Sequence, residues 1–231
     1  MRSEEHLELI NRQLKDFYMY SISMETNFEH REKGLLEEFE TQRNEIEKDK
    51  SHLWHQKYYY HTEVFLNIHR TSLFTNIFGM VEYELRKACN FHYRNNKTNI
   101  SINDFKGNSD FEKAKSYLTK ICEIDFSSLN PEWNYLLNAK DLRNVLTHNQ
   151  GEFLQTNEKK SKRLMELIRH KDYLEFEPNE TYENNEEEYY SKDGKIIIKS
   201  KEFNEELLEN ASIFFNKLLE GKLKYCSQQR I

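Results

Sequence analysis

Three residues between Asp141 and Gly151 carry side chains that together could hold a phosphate and transfer protons. Arg143 is followed directly by Asn144, and His148 stands five positions after Arg143. A histidine transfers protons near neutral pH, and the planar fork of an arginine holds two phosphate oxygens. Because the 2′-hydroxyl of RNA already lies beside its phosphate, cleavage needs a base, an acid and charge stabilisation but no metal ion. Arg143 and His148 are therefore candidate catalytic residues, and Asn144, one helical turn before His148, is a candidate positioning residue.

Most other reaction classes lack their signatures in this chain. It contains no Gly-rich phosphate loop, no G-x-S-x-G, no H-E-x-x-H and no kinase-type catalytic loop. His52 and His55 have a spacing that two metal ligands could share, but no further ligand stands out beside them. The three cysteines, Cys89, Cys122 and Cys226, show no C-x-x-C spacing, so we expect free thiols. The sequence predicts neither a metal site nor a cofactor.

The composition narrows the class of protein further. Of the 231 residues, 32% are charged and the formal net charge is −6, which is too acidic for a general nucleic-acid coat. Any RNA site must therefore be local. No stretch approaches the roughly 18 consecutive apolar residues of a spanning helix, and no signal peptide opens the chain, which predicts a cytoplasmic protein without a membrane segment. Only six glycines and two prolines occur, which favours few, long helices.

The hydrophobic periodicity places these helices along the chain. Residues 4–60 read as two antiparallel helices or one long bent helix, with Lys33-Gly34 as a candidate end, and their apolar stripe fits either ordinary packing or a dimerisation arm. The segment 61–96 is the most apolar, and we expect Val64, Phe65 and Ile68 to share its buried stripe with Leu73 to Cys89.

The second half of the chain contains shorter elements. Ser109 is a plausible N-cap for a helix over 110–122, and Pro131 fits the first turn of the helix that ends near Gly151. A charged helix near 158–171 follows. Asp193-Gly194, between Tyr189-Tyr190 and Ile196-Ile197-Ile198, predicts a tight β-hairpin before a last amphipathic helix from Phe203 to Leu219.

Arg143-Asn144 followed by His148 resembles the motif of HEPN domains, which are helical proteins with many nuclease members. A Leu-Arg-Asn start, a His-Asn-x-Gly finish, a β-hairpin and a final amphipathic helix occur here in the order of many HEPN sequences. Glu82, within Val81-Glu82-Tyr83-Glu84-Leu85, is similar to the Glu-x-x-Leu of the helix that faces the motif. The resemblance covers about 60–231. It implies an all-α bundle over 61–231, with residues 1–60 as an N-terminal helical extension.

The resemblance also implies an activity and partners. The chain is expected to be a metal-independent endoribonuclease, with Asp141 and Glu82 as supporting residues and a toxin or defence role that a protein partner inhibits or activates. Five residues turn a helix by about 140°, so Arg143 and His148 do not share a face. Two copies of the helix about a two-fold axis would bring both pairs into one cleft, which predicts a homodimer with a composite active site.

Alternative interpretations of the same residues stay open. Arg143, Asn144 and His148 could form a polar network at a helix end in a non-catalytic module that binds RNA or protein, and residues 4–60 could act as a coiled-coil adaptor. The chain also lacks a tyrosine shortly after His148, which some toxin subfamilies carry. A second spacing, from Arg86 to His92, has Lys87 where a non-basic residue belongs and no Gly stop, so we interpret it as a coincidence.

Overall fold

The computed structural model describes residues 2–42, 48–107, 109–149, 151–153, 159–179, 193–220 and 223. It is mostly helical, with a small antiparallel sheet before the last helix, as the sequence predicts. The helices are α1 (Ser3–Gln42), α2 (Lys48–Tyr59), α3 (Leu66–Asn95), α4 (Asp110–Lys120), α5 (Asn130–His148), α6 (Lys159–Arg169) and α7 (Glu202–Leu219). The strands are β1 (Glu152–Phe153), β2 (Leu174–Pro178) and β3 (Gly194–Ile198). A π-helical turn, Tyr60–Phe65, connects α2 to α3, and a 3-10 turn spans Ile102–Asp104.

The contacts between residues divide the chain into two units. The first unit contains Met1–Phe17, Thr75–Asn144 and Glu205–Ile231, and the second contains Tyr18–Phe74 and Val145–Asn204. Each unit draws on residues from both sides of position 60, where the sequence predicts a domain boundary. That boundary stays a prediction. Within the described ranges, no helix has both the length and the apolar character needed to cross a bilayer.

The first unit is built around an aromatic cluster that anchors α5. Trp133 stacks on Phe111 of α4 with ring centroids 4.2 Å apart, and Phe214 of α7 lies 5.8 Å from the same indole. All three side chains are almost completely buried. Aromatic pairs of this kind contribute about 0.5–1.5 kcal/mol each beyond the area they bury. Helix α5, which carries the candidate site, is therefore held at its N-terminal half by core packing.

In the second unit, α1 and α2 form an antiparallel pair. Trp54 Nε1 donates a hydrogen bond to the carbonyl oxygen of Leu35 at 3.1 Å, and Tyr58 donates to Glu32 at 2.6 Å. For residues 4–60 the sequence left open two antiparallel helices or one long bent helix, and the structure shows the antiparallel pair. The predicted end at Lys33-Gly34 is wrong, because α1 continues to Gln42. Leu35 is buried and extends the apolar stripe, and a single glycine costs a helix only about 1 kcal/mol.

The sheet lies in the second unit with β3 in the centre and the strand order β1-β3-β2. Gly194 pairs with Phe153 on one side and with Pro178 on the other, so the predicted tight turn at Asp193-Gly194 is wrong. A Cβ on Gly194 would lie 2.5 Å from the Glu177 carbonyl oxygen, so this glycine serves the close approach of strands and not a turn. The predicted partner strand, Tyr189-Tyr190, lies outside the described residues.

Helix α3 has the buried stripe that its periodicity predicts from Leu73 to Cys89. The prediction is wrong for Phe65 and Ile68, which are 51% and 57% exposed. Five residues separate Ile68 from Leu73, an offset of about 140° around the axis, so Ile68 points away from the stripe. Phe65 lies in the π-helical turn, where the wider winding moves side chains out of the α-helical register.

Candidate functional site

Local signals at both ends place α5 where the sequence predicts it. Pro131 occupies the first turn, where its missing N–H would have no partner in any case. After the helix, Gly151 adopts a φ of 89° and its N–H donates to the Val145 carbonyl oxygen at 3.2 Å. A Cβ at Gly151 would lie 2.9 Å from the carbonyl oxygen of Ile196, so both the backbone angle and the space require glycine. These contacts make His148 the last residue of the helix.

Arg143 lies in a partly open polar cluster of the first unit. Its Nη2 donates a short hydrogen bond to Glu82 of α3, and its Nη1 donates to Asn144 Oδ1 at 3.2 Å. The side chains of Arg143 and Glu82 are 23% and 22% exposed. The guanidinium carbon also lies 5.6 Å from the ring centroid of Phe78. The structure therefore brings Arg143 together with two of the four other predicted site residues, Glu82 and Asn144.

The contact with Phe78 was missed by sequence reasoning, although a signal for it existed. Phe78 precedes Glu82 by four residues, so the two side chains share a face of α3. A cation over an aromatic ring is attracted by about 0.5–2 kcal/mol, depending on its solvation. Phe78 and Glu82 together limit the orientations of the Arg143 guanidinium. Phe78, a core residue, thus helps to position Arg143, the residue expected to bind the phosphate.

His148 and Asp141 occupy different environments on the same helix. His148 is exposed and belongs to the second unit, while Arg143 belongs to the first. The surroundings of each residue are therefore those of its own unit. Asp141, also in the first unit, is only 3% exposed. An exposed imidazole at a helix end can reach a bound substrate. A buried carboxylate such as Asp141 acts on the site only through other protein groups.

Two residues before His148, Leu146 helps to line a cavity of about 300 Å³ in the second unit. The wall also contains the ammonium-bearing Lys195 of β3, together with Asn67, Ile68, Thr71, Ser72 and Ile196. The lining combines apolar side chains with amide and hydroxyl groups and one cation. The cavity and His148 therefore lie in the same unit.

The second Arg-to-His spacing, from Arg86 to His92, is structural. His92 is 8% exposed, and its Nδ1 lies 3.0 Å from the Tyr117 hydroxyl in a hydrogen bond. Burial lowers the pKa of His92, which keeps the imidazole neutral in the core. It cannot reach a substrate, whereas His148 can.

A buried ionic cluster fixes the start of α1 against α3 in the first unit. Glu84 accepts hydrogen bonds from His6 at 2.5 Å and from Lys87 at 3.1 Å. Burial by itself raises the pKa of Glu84, but these hydrogen bonds and the charge on Lys87 outweigh it and lower that pKa below its usual value. Glu84 thus remains a carboxylate that neutralises Lys87.

Neither of the two described thiols is a reactive group. Burial raises the pKa of Cys89 well above its usual value and that of Cys122 to about 12, so both thiols stay protonated. Cys226 lies outside the described residues. His52 and His55 are exposed on α2, and the part of the chain that the structure describes has no group of three residues that could hold a metal ion.

No family model matches this chain, and none of the curated proteins or solved structures matches it either. The resemblance to HEPN domains therefore rests on the residues of α3 and α5 and on the order of the elements around them. The functional argument depends on the chemistry of Arg143, Asn144 and His148 and on the groups that position them.

Proposed function

We propose that the protein is a metal-independent endoribonuclease in which Arg143 stabilises the scissile phosphate and His148 transfers protons. One observation carries the proposal: an oriented, partly open Arg143 and an exposed His148 lie on a single helix, five residues apart. Asn144, which accepts a hydrogen bond from Arg143, orients the guanidinium or the substrate. The site requires no metal ion, because the substrate supplies its own nucleophile.

The chemistry assigns a step to each residue. The 2′-hydroxyl loses its proton to a base and attacks the adjacent phosphorus, and the bond to the 5′-oxygen breaks as an acid protonates that oxygen. His148 provides the proton transfer, and the guanidinium of Arg143 stabilises the extra negative charge on the phosphorane. The products are a 2′,3′-cyclic phosphate and a 5′-hydroxyl. Removal of a comparable charge-stabilising donor costs enzymes about 10²–10³ in rate.

A homodimer is part of the proposal. Arg143 and His148 stand about 140° apart around α5, and two copies of the helix about a two-fold axis would let both pairs face one cleft. Such an enzyme in the cytoplasm is dangerous to its own cell, so a toxin or defence effector with an inhibitory or activating protein partner fits the activity. The supporting argument for this biological role is the HEPN resemblance alone.

A second candidate function is a non-catalytic module that binds RNA or protein. It is favoured by the engagement of Arg143 with both Glu82 and Asn144, a network that could stabilise a helix end without any chemistry. Only the nuclease needs the His148 side chain, because only the nuclease transfers protons. The deciding experiment therefore removes this imidazole.

Wild-type protein, His148→Ala and the control His170→Ala should be incubated with total tRNA and with a mixed-sequence RNA in excess EDTA. His170 is exposed in the same unit and has no role in the proposal. We expect wild type and His170→Ala to leave 2′,3′-cyclic phosphate ends, and His148→Ala to be inactive but folded, since an exposed side chain leaves no cavity. Cleavage that survives in His148→Ala contradicts the assignment. RNA binding by wild type without cleavage supports the non-catalytic module.

A further inference from the structure

One face of α3 in the first unit forms an open groove that the proposed reaction does not use. Its residues recur at helical spacing, and they enclose a volume of about 350 Å³. The lining consists of three cationic side chains, two aromatic rings and one amide: Arg86, Lys87, Arg94, Tyr83, Phe91 and Asn90. Glu84 neutralises Lys87 and Asp110 pairs with Arg86, so the positive charge that this groove offers in a chain of net charge −6 comes from Arg94, and from Arg86 when Asp110 is displaced.

The aromatic part of the groove is held in place but open to solvent. The Lys87 ammonium lies 5.5 Å from the ring centroid of Tyr83 and 6.0 Å from that of Phe91, and it donates a hydrogen bond to Glu84. Tyr83 is nevertheless 62% exposed. A tyrosine that a neighbouring cation orients and solvent surrounds offers a flat surface on which a nucleic-acid base can stack.

The cationic part of the groove is available to phosphates. Arg86 pairs with Asp110 at 2.9 Å, but both side chains are nearly half exposed, and such pairs contribute only about 0–1 kcal/mol. Exchanging Asp110 for a phosphate therefore costs little. Arg94 is exposed in the last turn of α3, two turns beyond Arg86. The two arginines are thus about 12 Å apart along the helix axis, so they would contact phosphates of a strand that are not adjacent.

One edge of the groove is close in sequence to the partner of the candidate catalytic arginine. Arg86 stands one helical turn beyond Glu82, the residue that binds Arg143. A strand that contacts Arg86 would therefore lie one helical turn along α3 from Glu82. An acidic peptide would match the charges of the groove, but its carboxylates would not stack on the exposed ring of Tyr83.

We propose that this groove binds a single-stranded segment of RNA, with a base stacked on Tyr83 and phosphates against Arg86 and Arg94. The inference rests on the proposed function, because it identifies the groove as the part of the substrate site that holds the strand beside the cleaved phosphate. It assigns to α3 the selection of single-stranded over paired RNA, since a base in a duplex cannot stack on a side chain.

The test measures binding apart from cleavage. A short, fluorescein-labelled 2′-O-methyl RNA of mixed sequence lacks the attacking hydroxyl and stays intact, and fluorescence anisotropy with the full chain gives its affinity over a range of salt concentrations. Tyr83→Ala should weaken binding about tenfold. Arg94→Gln should weaken it and reduce the slope of log affinity against log salt by about 0.7. The controls Tyr59→Ala and Arg31→Gln alter side chains that are 57% and 48% exposed and should leave the affinity unchanged.

Three results would overturn the groove assignment: no binding by wild type, equal binding by wild type and the Tyr83 and Arg94 variants, or tighter binding of the same RNA in a duplex. Its failure is distinguishable from failure of the proposed function. Normal cleavage by Tyr83→Ala with an unchanged KM rejects the groove and keeps the nuclease. Binding that depends on Tyr83 and Arg94, in a protein that cuts no RNA, rejects the nuclease and keeps the groove.

Discussion

Among the residues that the structure describes, each unit contains an arginine paired with a glutamate distant in sequence, and these two pairs differ in how far they are closed. In the second unit, Arg70 binds both oxygens of Glu25 at 2.8 and 2.7 Å, and the side chains are 12% and 8% exposed. Arg70 also donates to the carbonyl oxygen of Lys199. In the first unit, Arg143 meets Glu82 through one oxygen and both are nearly a quarter exposed.

The comparison shows that an arginine–carboxylate pair does not by itself indicate a function. A closed pair is costly to break, because the remaining charge is left buried without compensation. An open pair can change partners at little cost, because water and ligands reach the same donors. By this criterion Arg70 is a structural residue and Arg143 is suited to bind a ligand. The residue types are the same, and the surrounding packing distinguishes them.

The largest expected effect is on stability. Glu25→Ala should lower the free energy of unfolding by about 3–5 kcal/mol, since it leaves the buried Arg70 unpaired. Glu82→Ala should lower it by less, since Arg143 and Glu82 are each nearly a quarter exposed and water can solvate the remaining guanidinium. Urea unfolding at neutral pH measures both. Equal losses for the two variants would remove the distinction between a closed and an open pair.

The next effect concerns the reaction. Arg143→Lys keeps the charge but loses the planar fork, so we expect the cleavage rate to fall by roughly 10²-fold. Arg70→Lys should leave the rate of the folded protein unchanged, although it lowers stability. Both rates are read from single-turnover cleavage of a labelled RNA, with circular dichroism to confirm folding. A near-normal rate for Arg143→Lys would exclude bidentate phosphate binding by this residue.

A smaller effect tests how open the surface beside Arg143 is. Gly79 lies in α3 three residues before Glu82, and a Cβ there would meet no atom within 4 Å. Gly79→Ala should therefore raise the free energy of unfolding by about 0.5–1 kcal/mol. Gly34→Ala in α1 has the same open surroundings and is the matched control. If both variants are stabilised but only Gly79→Ala slows cleavage, the substrate approaches the backbone of α3 at Gly79.

The smallest effect is a pH dependence near the closed pair. Burial lowers the pKa of His69, while Glu25 raises it and Arg70 lowers it, with a net shift downward. The unfolded chain therefore binds a proton more readily than the folded one, so stability should fall as the pH drops below about 6.5. His69→Gln should show a flatter decline of the unfolding free energy between pH 7 and pH 5.5. His92→Gln is the comparison in the first unit, where burial also lowers the pKa. An unchanged pH slope in both variants would contradict the lowered pKa of these rings.

The elements that the sequence predicts correctly have strong local signals. The N-cap at Ser109, Pro131 in a first turn and Gly151 after α5 act within one helical turn, so they can be recognised without knowing the fold. The predictions at Gly34 and Gly194 are wrong because glycine occurs in several structural settings. In α1 it is tolerated inside a helix, and in β3 it admits a neighbouring strand.

The candidate site was partly predictable for the same reason. The motif on α5 could be found because Arg143, Asn144 and His148 are close in sequence. The stacking of Phe78 under Arg143 and the groove along α3 depend on which face of α3 remains uncovered, and periodicity cannot tell a covered face from an open one. Tyr83 and Arg86 are three residues apart, a spacing that favours a shared face. The spacing could not show that this face is a groove.

The sequence by itself determined the helical class, the bounds of α5 and the placement of Arg143 and His148 on it. These follow from composition, periodicity and capping, which act over a few residues. The resemblance alone named Glu82 as a supporting residue, and only the tertiary structure decided that it contacts Arg143, 61 residues away, and that Glu25 closes over Arg70. Contacts between distant residues depend on how helices pack, and packing is a property of the whole chain.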